Sequence, residues 1–305
     1  MPARPGSRVF VSHSSANAAA AKSVGKALEA AGFGVWLDSS DIRLGVLLRN
    51  ELYEAIQKSR AVALLWSEPA SKSRWVAAEI LAAFHMDRFI IPCVVDDAPL
   101  PQFLGNSVYL DLRKNEAEAL GQLARAVEKA RKQANPIPPR IASASAELKQ
   151  AIDKIAAAQE QVTTPLMKRD LKTAGEVQEV LDPVMKQAEQ VWRYELMILN
   201  LGGYHRKNAY LVKHWDAIQA GRPPKDPLLH EGERLFFEAL FVDPLDRSAL
   251  NGLGSILILE LELDAAEFFV RRAIALSKQL GRSYSAAEHD LKLIEWYKGQ
   301  QARGA

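Results

Sequence analysis

Glu79 and Trp75 stand four positions apart in the run Ser73 to Ile80, whose apolar spacing predicts a helix, so the carboxylate and the indole share one helical face. On spacing alone a helical glutamate reads as a solvated surface residue and the tryptophan as core packing. Ser12 and His13 follow the apolar run Val9-Phe10-Val11, and either contact a ligand there or form a loop that caps the next helix, with Asn17 as N-cap. A serine beside a histidine does not make a nucleophilic pair, because no third group is specified to orient the base.

Other chemistries fail on particular residues. The single cysteine, Cys93, removes any disulfide framework or cysteine-built zinc site, and its apolar surroundings suit a small buried hydrophobe. The six histidines are scattered, with no HExxH, so no metal site is expected. Ser12-His13-Ser14-Ser15 stands where a dinucleotide fold needs GxGxxG, and no GKS/T of a P-loop occurs. The third strand ends in Trp66-Ser67, where a phospho-receiver would place its aspartate. A near balance of 39 basic and 37 acidic residues, net +2, argues against a dedicated nucleic-acid binder. Residues 1–8 lack the apolar core of a signal peptide, and no run approaches a membrane span, so a cytosolic protein is expected.

The elements that must position these residues follow two grammars. Over residues 1–135, strands at Val9–Val11, Phe33–Leu37, Ala61–Trp66, Phe89–Val95 and Val108–Leu112 alternate with helices at Asn17–Ala31, Leu47–Lys58, Ala70–His85 and Glu116–Ala134. Short, apolar strands between helices predict a five-stranded parallel sheet covered on both faces, a flavodoxin-like α/β domain that binds ligands beyond the carboxyl ends of its strands. Asn135-Pro136-Ile137-Pro138-Pro139 ends this pattern, and residues 136–140 read as a stiff proline-rich linker.

Taken together, several stretches resemble a bacterial Toll/interleukin receptor (TIR) domain. They are VFVSHSS (Val9 to Ser15), GFGVWLDSSDIRLG (Gly32 to Gly45), AIQKSRAVALLWSE (Ala55 to Glu68), SRWVAAEI (Ser73 to Ile80) with its WxxxE, and FIIPCVVDD (Phe89 to Asp97). The ordered matches span residues 8–112. The resemblance implies hydrolysis of NAD+ between nicotinamide and ribose, NAD+ being substrate and no cofactor being required, with Glu79 as the essential residue. Nicotinamide is already a cationic leaving group, so a carboxylate that stabilises the ribosyl oxocarbenium ion is sufficient chemistry. Trp75, Ser12, His13, Asp38, Ser39 and Arg43 are the substrate-binding candidates. Asp38 either bonds the ribose or initiates a turn, and Arg43 either meets a phosphate or is solvated. Ile42, Leu44 and Gly45 belong to the family's BB loop, through which its active members self-associate. The alternative reading is a non-enzymatic TIR scaffold that binds other TIR domains and a partner; a third, a nucleoside-processing transferase of similar shape, would act on free nucleosides instead.

Residues 141–305 show only helical periodicity, with Gly202-Gly203 and Gly221 to Pro227 read as breaks. FFEALFVDPLD (Phe236 to Asp246) precedes ALNGLGSILILELELDAAEFFVRRAIAL (Ala249 to Leu276), and Ala239 and Ala273 lie thirty-four positions apart. Leu253, Gly254, Leu257, Ala266, Val270 and Ala273 resemble one tetratricopeptide repeat, the small residues allowing paired helices to approach. The preceding repeat is expected to lack a clean first helix, because Pro223 and Pro224 fall in its path. Trp192, Tyr194, Trp215 and Trp296 are expected to pack between helices, and His205-Arg206-Lys207 to lie on the solvated surface. The half reads as an all-α, TPR-like sensor or assembly domain with an unknown activator. Because the α/β core closes before the prolines, fragment 1–135 is expected to unfold cooperatively on its own, and fragment 141–305 to show helical circular dichroism without NAD+ cleavage. Full cleavage by the second fragment would overturn this division of labour.

Overall fold

The computed structural model describes residues 8–37, 48–130, 135 and 144–304, the side chains of 48–51 and 302–304 excepted. The chain divides into two compact units, Met1–Pro139 and Arg140–Ala305.

The first unit holds β1 (Arg8–Ser12), α1 (Ala18–Ala30), β2 (Gly34–Leu37), α2 (Leu48–Lys58), β3 (Ala61–Trp66), α3 (Glu68–Ser71), α4 (Arg74–His85), β4 (Phe89–Val94), β5 (Leu110–Asp111) and α5 (Glu116–Lys129). Its strands make one parallel sheet in the order β2-β1-β3-β4-β5. The strand order reverses between β1 and β3, where Val9 pairs with Ala61 and Ser12 with Leu64. A doubly wound sheet opens its ligand crevice there.

Period-2 alternation sends the two faces of each central strand into different cores. Val9, Val11, Ala61, Ala63, Leu65, Ile91 and Cys93 pack with α1 and α5 through Val24, Leu28, Leu123 and Val127. Phe10, Val62, Leu64 and Ile90 occupy the opposite pleats, and α4 lies against β1, β3 and β4 and also packs on α2. Both faces being covered, β3 and β4 are apolar throughout and β1 is apolar between Arg8 and Ser12, as a parallel sheet requires.

Three local expectations need correction. The helix expected over Ala70–His85 is broken, because Ser67 and Ser73 each cap a separate start, accepting from the amides of Ala70 (3.1 Å) and Val76 (3.3 Å). Asn17 makes no capping bond; Ser14 caps the preceding 3-10 turn instead. The fifth strand shrinks to Leu110–Asp111, since it is an edge strand and Val108 and Tyr109 are exposed.

The second unit is a succession of helices: α6 (Ala146–Met167), α7 (Leu171–Val191), α8 (Leu196–Gln219), α9 (Pro227–Val242), α10 (Arg247–Leu259), α11 (Leu263–Gln279) and α12 (Ser285–Gly304). Each packs on the next. Gly202 and Gly203 do not break α8 but lie inside it. The fully buried Phe236 ring of α9 explains the second of them: a Cβ on Gly203 would sit 2.6 Å from it, and one on Gly252 of α10 only 2.2 Å, whereas a Cβ on Gly202 would meet Glu189 Oε1 at 2.6 Å. Phe236 thus keys α9 into both neighbours, which leaves no room for a side chain at either glycine. A Cβ on Gly254 would lie 2.4 Å from Val270, which is why α10 and α11 come so close.

The helix before α9 is also present, contrary to expectation. Pro223 and Pro224 fall in the connection that follows α8, and α8 supplies the first helix of the pair. His205 is buried rather than solvated, beside Gln178 (2.8 Å) and Asp182 (3.2 Å), and burial lowers its pKa. Arg206 forms a two-pronged pair with Glu189, and Lys207 lies over the Tyr204 ring, its pKa also lowered by burial. Trp192 and Trp215 do pack on the α6–α7–α8 core, whereas Tyr194 and Trp296 are largely exposed.

Gly252→Ala is expected to destabilise the helical unit by about 1–3 kcal/mol through overpacking against Phe236. Gly299→Ala, whose added Cβ meets nothing within 4 Å, is expected to stabilise α12 by up to about 1 kcal/mol. Denaturant unfolding of the two variants checks this, and equal midpoints would refute the Phe236 wedge.

Candidate active site

The switch point gathers polar groups that a parallel sheet elsewhere excludes. Ser12, Ser67 and Glu79 expose no surface, and His13 and Ser14 very little. Ser12 is the last residue of β1, on the same face as Phe10, and that face looks toward α4. Glu79 lies in the second turn of α4, a position fixed by the Ser73 cap. The Ser12 hydroxyl donates to Glu79 Oε2 at 2.5 Å, joining residues 67 positions apart in the chain. A carboxylate taken out of water needs such donors, because burial without them would drive it to its neutral form.

His13 places Nδ1 3.3 Å from the Val11 carbonyl. In the neutral ring this makes Nδ1 the proton-bearing nitrogen and leaves Nε2 an acceptor. Trp75 is half-buried one turn before Glu79 on α4. The structure therefore brings Ser12 to Glu79, with His13 adjoining Ser12 and Trp75 on the glutamate's own helix. Asp38, Ser39, Ile42, Arg43, Leu44 and Gly45 lie outside the described residues.

The end of β3 carries a second polar junction that the sequence reading did not foresee. Ser67 Oγ donates to Asn17 Oδ1 (2.6 Å), which ties the turn after β1 to the start of α3. Trp66 buries its ring and donates Nε1–H to the Pro99 carbonyl (2.8 Å). The available signal was a serine at the carboxyl end of each strand flanking the switch point, in VFVS and ALLWS. Further along the sheet, Asp111 is held well below the usual carboxylate range by Arg113, which also pairs with Asp97. That network closes the β4–β5 edge. Cys93, buried in β4, has its thiol pushed up to about 12 by desolvation and stays protonated. Among the described residues, no group of three His, Cys, Asp or Glu side chains could hold a metal ion, and no helix is long and apolar enough to cross a membrane.

A five-stranded parallel sheet in this order fits the class to which comparison assigns these residues. Residues 9–124 match the family model of the TIR domain, so the chain carries a TIR domain there, followed by an all-helical region. No curated protein matches the chain.

Proposed function

We propose that the TIR domain hydrolyses NAD+ to nicotinamide and ADP-ribose, with Glu79 as the catalytic residue. The observation that carries this reading is the placement of a fully buried carboxylate at the carboxyl edge of the β1/β3 crevice, held by a hydroxyl from β1. As the glycosidic bond breaks, its electron pair leaves with neutral nicotinamide and positive charge develops at the ribose. An ionised Glu79 stabilises that charge strongly because the surroundings are dry. Water then adds to the ribose and gives up a proton. Trp75 offers a ring beside the ribose or base, and His13, Asp38, Ser39 and Arg43 remain the candidates for holding the rest of the dinucleotide.

Glu79 exposes no surface, so a ribose reaches it only after the groups around it shift. Self-association through Ile42, Leu44 and Gly45, which the family resemblance implies, supplies such a shift, and the helical half would sense or assemble the activating partner. In this reading the protein is a cytosolic bacterial immune effector, whose NAD+ consumption answers infection by phage.

Glu79→Gln is expected to lower nicotinamide release by about two to three orders of magnitude while leaving the melting temperature unchanged, since charge is lost at nearly constant shape. Wild-type rates in the purified variant would remove Glu79 from the mechanism. A parent protein that assembles but releases no nicotinamide, with or without a crowding agent, would favour the scaffold instead. Ile42 and Leu44 are apolar in a segment of otherwise polar residues, Asp38 to Asp41 before them and Gly45 after. Leu44→Asp is therefore expected to stay folded and monomeric with little NADase activity, because an aspartate is strongly disfavoured in an apolar contact. Equal activity and equal assembly size at matched concentration would exclude this segment from activation.

A further inference from the structure

Ser12 stands where the strand's own pattern asks for an apolar side chain. Val9, Phe10 and Val11 are fully buried, and so is Ser12, on the face that packs against α4. It is not there to start the following turn, since Ser14 accepts the capping bond from Ala16. Its hydroxyl is turned inward to Glu79 Oε2, 2.5 Å away.

A glutamate side chain has three rotatable bonds, and a helix orients only its Cα–Cβ vector. The remaining freedom has to be removed by a group on another element. β1 is suited to this, because it is a central strand, paired on both sides by β2 and β3. A hydroxyl that donates to a carboxylate also favours its ionised form. An apolar side chain at position 12 would fill the space and give neither effect.

We propose that Ser12 is a positioning residue for Glu79, its O–H orienting the carboxylate and keeping it ionised at the edge of the sheet. The kinetic half of the proposal rests on the reading of Glu79 as catalytic. Ser12 accordingly acts through Glu79 and not as a direct contact to the substrate.

The elements packed against α4 carry several other titratable groups, and all are common to the parent and the variant. Among the described side chains these are Arg8 on β1 and His13 just after it, Tyr53 on α2, and Arg74 and His85 on α4 itself. The exposed pairs Glu54–Lys58 and Glu68–Lys72 complete them on α2 and α3. β3 carries no titratable side chain, and Cys93 of β4 points to the opposite core.

The test is Ser12→Ala in the full chain, read by steady-state NAD+ kinetics and by titration of the Glu79 carboxyl carbon resonance, assigned through its loss in Glu79→Gln. The expected result is kcat lower by about tenfold to a hundredfold with KM changed by less than about threefold. The Glu79 titration midpoint should rise by roughly one to two pH units. Should Ser12→Ala fail to fold, Ser12→Cys keeps the shape with a weaker donor and is expected to move the midpoint in the same direction. A raised KM at unchanged kcat would overturn the proposal in favour of direct substrate contact. An unmoved midpoint would overturn it whatever the kinetics. A parent protein that cleaves no NAD+ would defeat the functional reading alone, because the titration still decides whether Ser12 controls Glu79.

Discussion

A carboxylate that exposes no surface has lost its water and must find its partners inside the protein, and in the TIR domain that demand falls on Glu79. Ser12 meets it from the end of β1, and the contact exists only because the sheet brings β1 beside β3 and lays α4 across both. A charge in a dry site interacts more strongly with whatever charge appears beside it than the same group does in water. The feature that makes Glu79 costly to bury is therefore the one on which its proposed role beside a cationic ribose depends. Ser73 sets the start of α4, and through it the turn on which Glu79 emerges.

Around this contact the sheet edge is stitched by polar groups drawn from separate loops. Ser67 and Asn17 join the two loops that flank the crevice, and Trp66 anchors the segment after β4 through the Pro99 carbonyl. Asp96 accepts the backbone amides of Glu68 and Ala98. Most of these bonds link segments far apart in the chain, which fixes the loops beyond the strand ends to one another.

The helical unit solves a different problem, that of bringing helices into close contact without a sheet to organise them. Phe236 does this by filling the hollows at Gly203 and Gly252, and Gly254 admits Val270 in the same manner. Polar groups are also taken inside, as with His205 against Gln178 and Asp182, and their partners come from the neighbouring helix. Such packing ties α8, α9 and α10 closely together, whereas exposed apolar residues such as Val180, Val184 and Val191 remain along α7.

Much of this was legible in the sequence for a simple reason: buried parallel strands must be apolar, and helices that cover them must be periodic. The five strands, their order of alternation with helices and the candidate Glu79 all follow from such local rules and from the TIR-like motifs. What local rules cannot reach is contact between residues far apart in the chain. Gly202-Gly203 reads as a break because glycine usually weakens a helix, and only the Phe236 ring, more than thirty positions away, shows why Gly203 is required. His205-Arg206-Lys207 looked solvated because charge usually is, until Asp182 and Glu189 on α7 and the Tyr204 ring supplied partners. Ser12 likewise carried no instruction to face Glu79. The sequence determined which residues were available for chemistry; the crossing of α4 over the ends of β1 and β3 decided which of them meet, because burial and hydrogen bonding are properties of the assembled site and not of the segments that enter it.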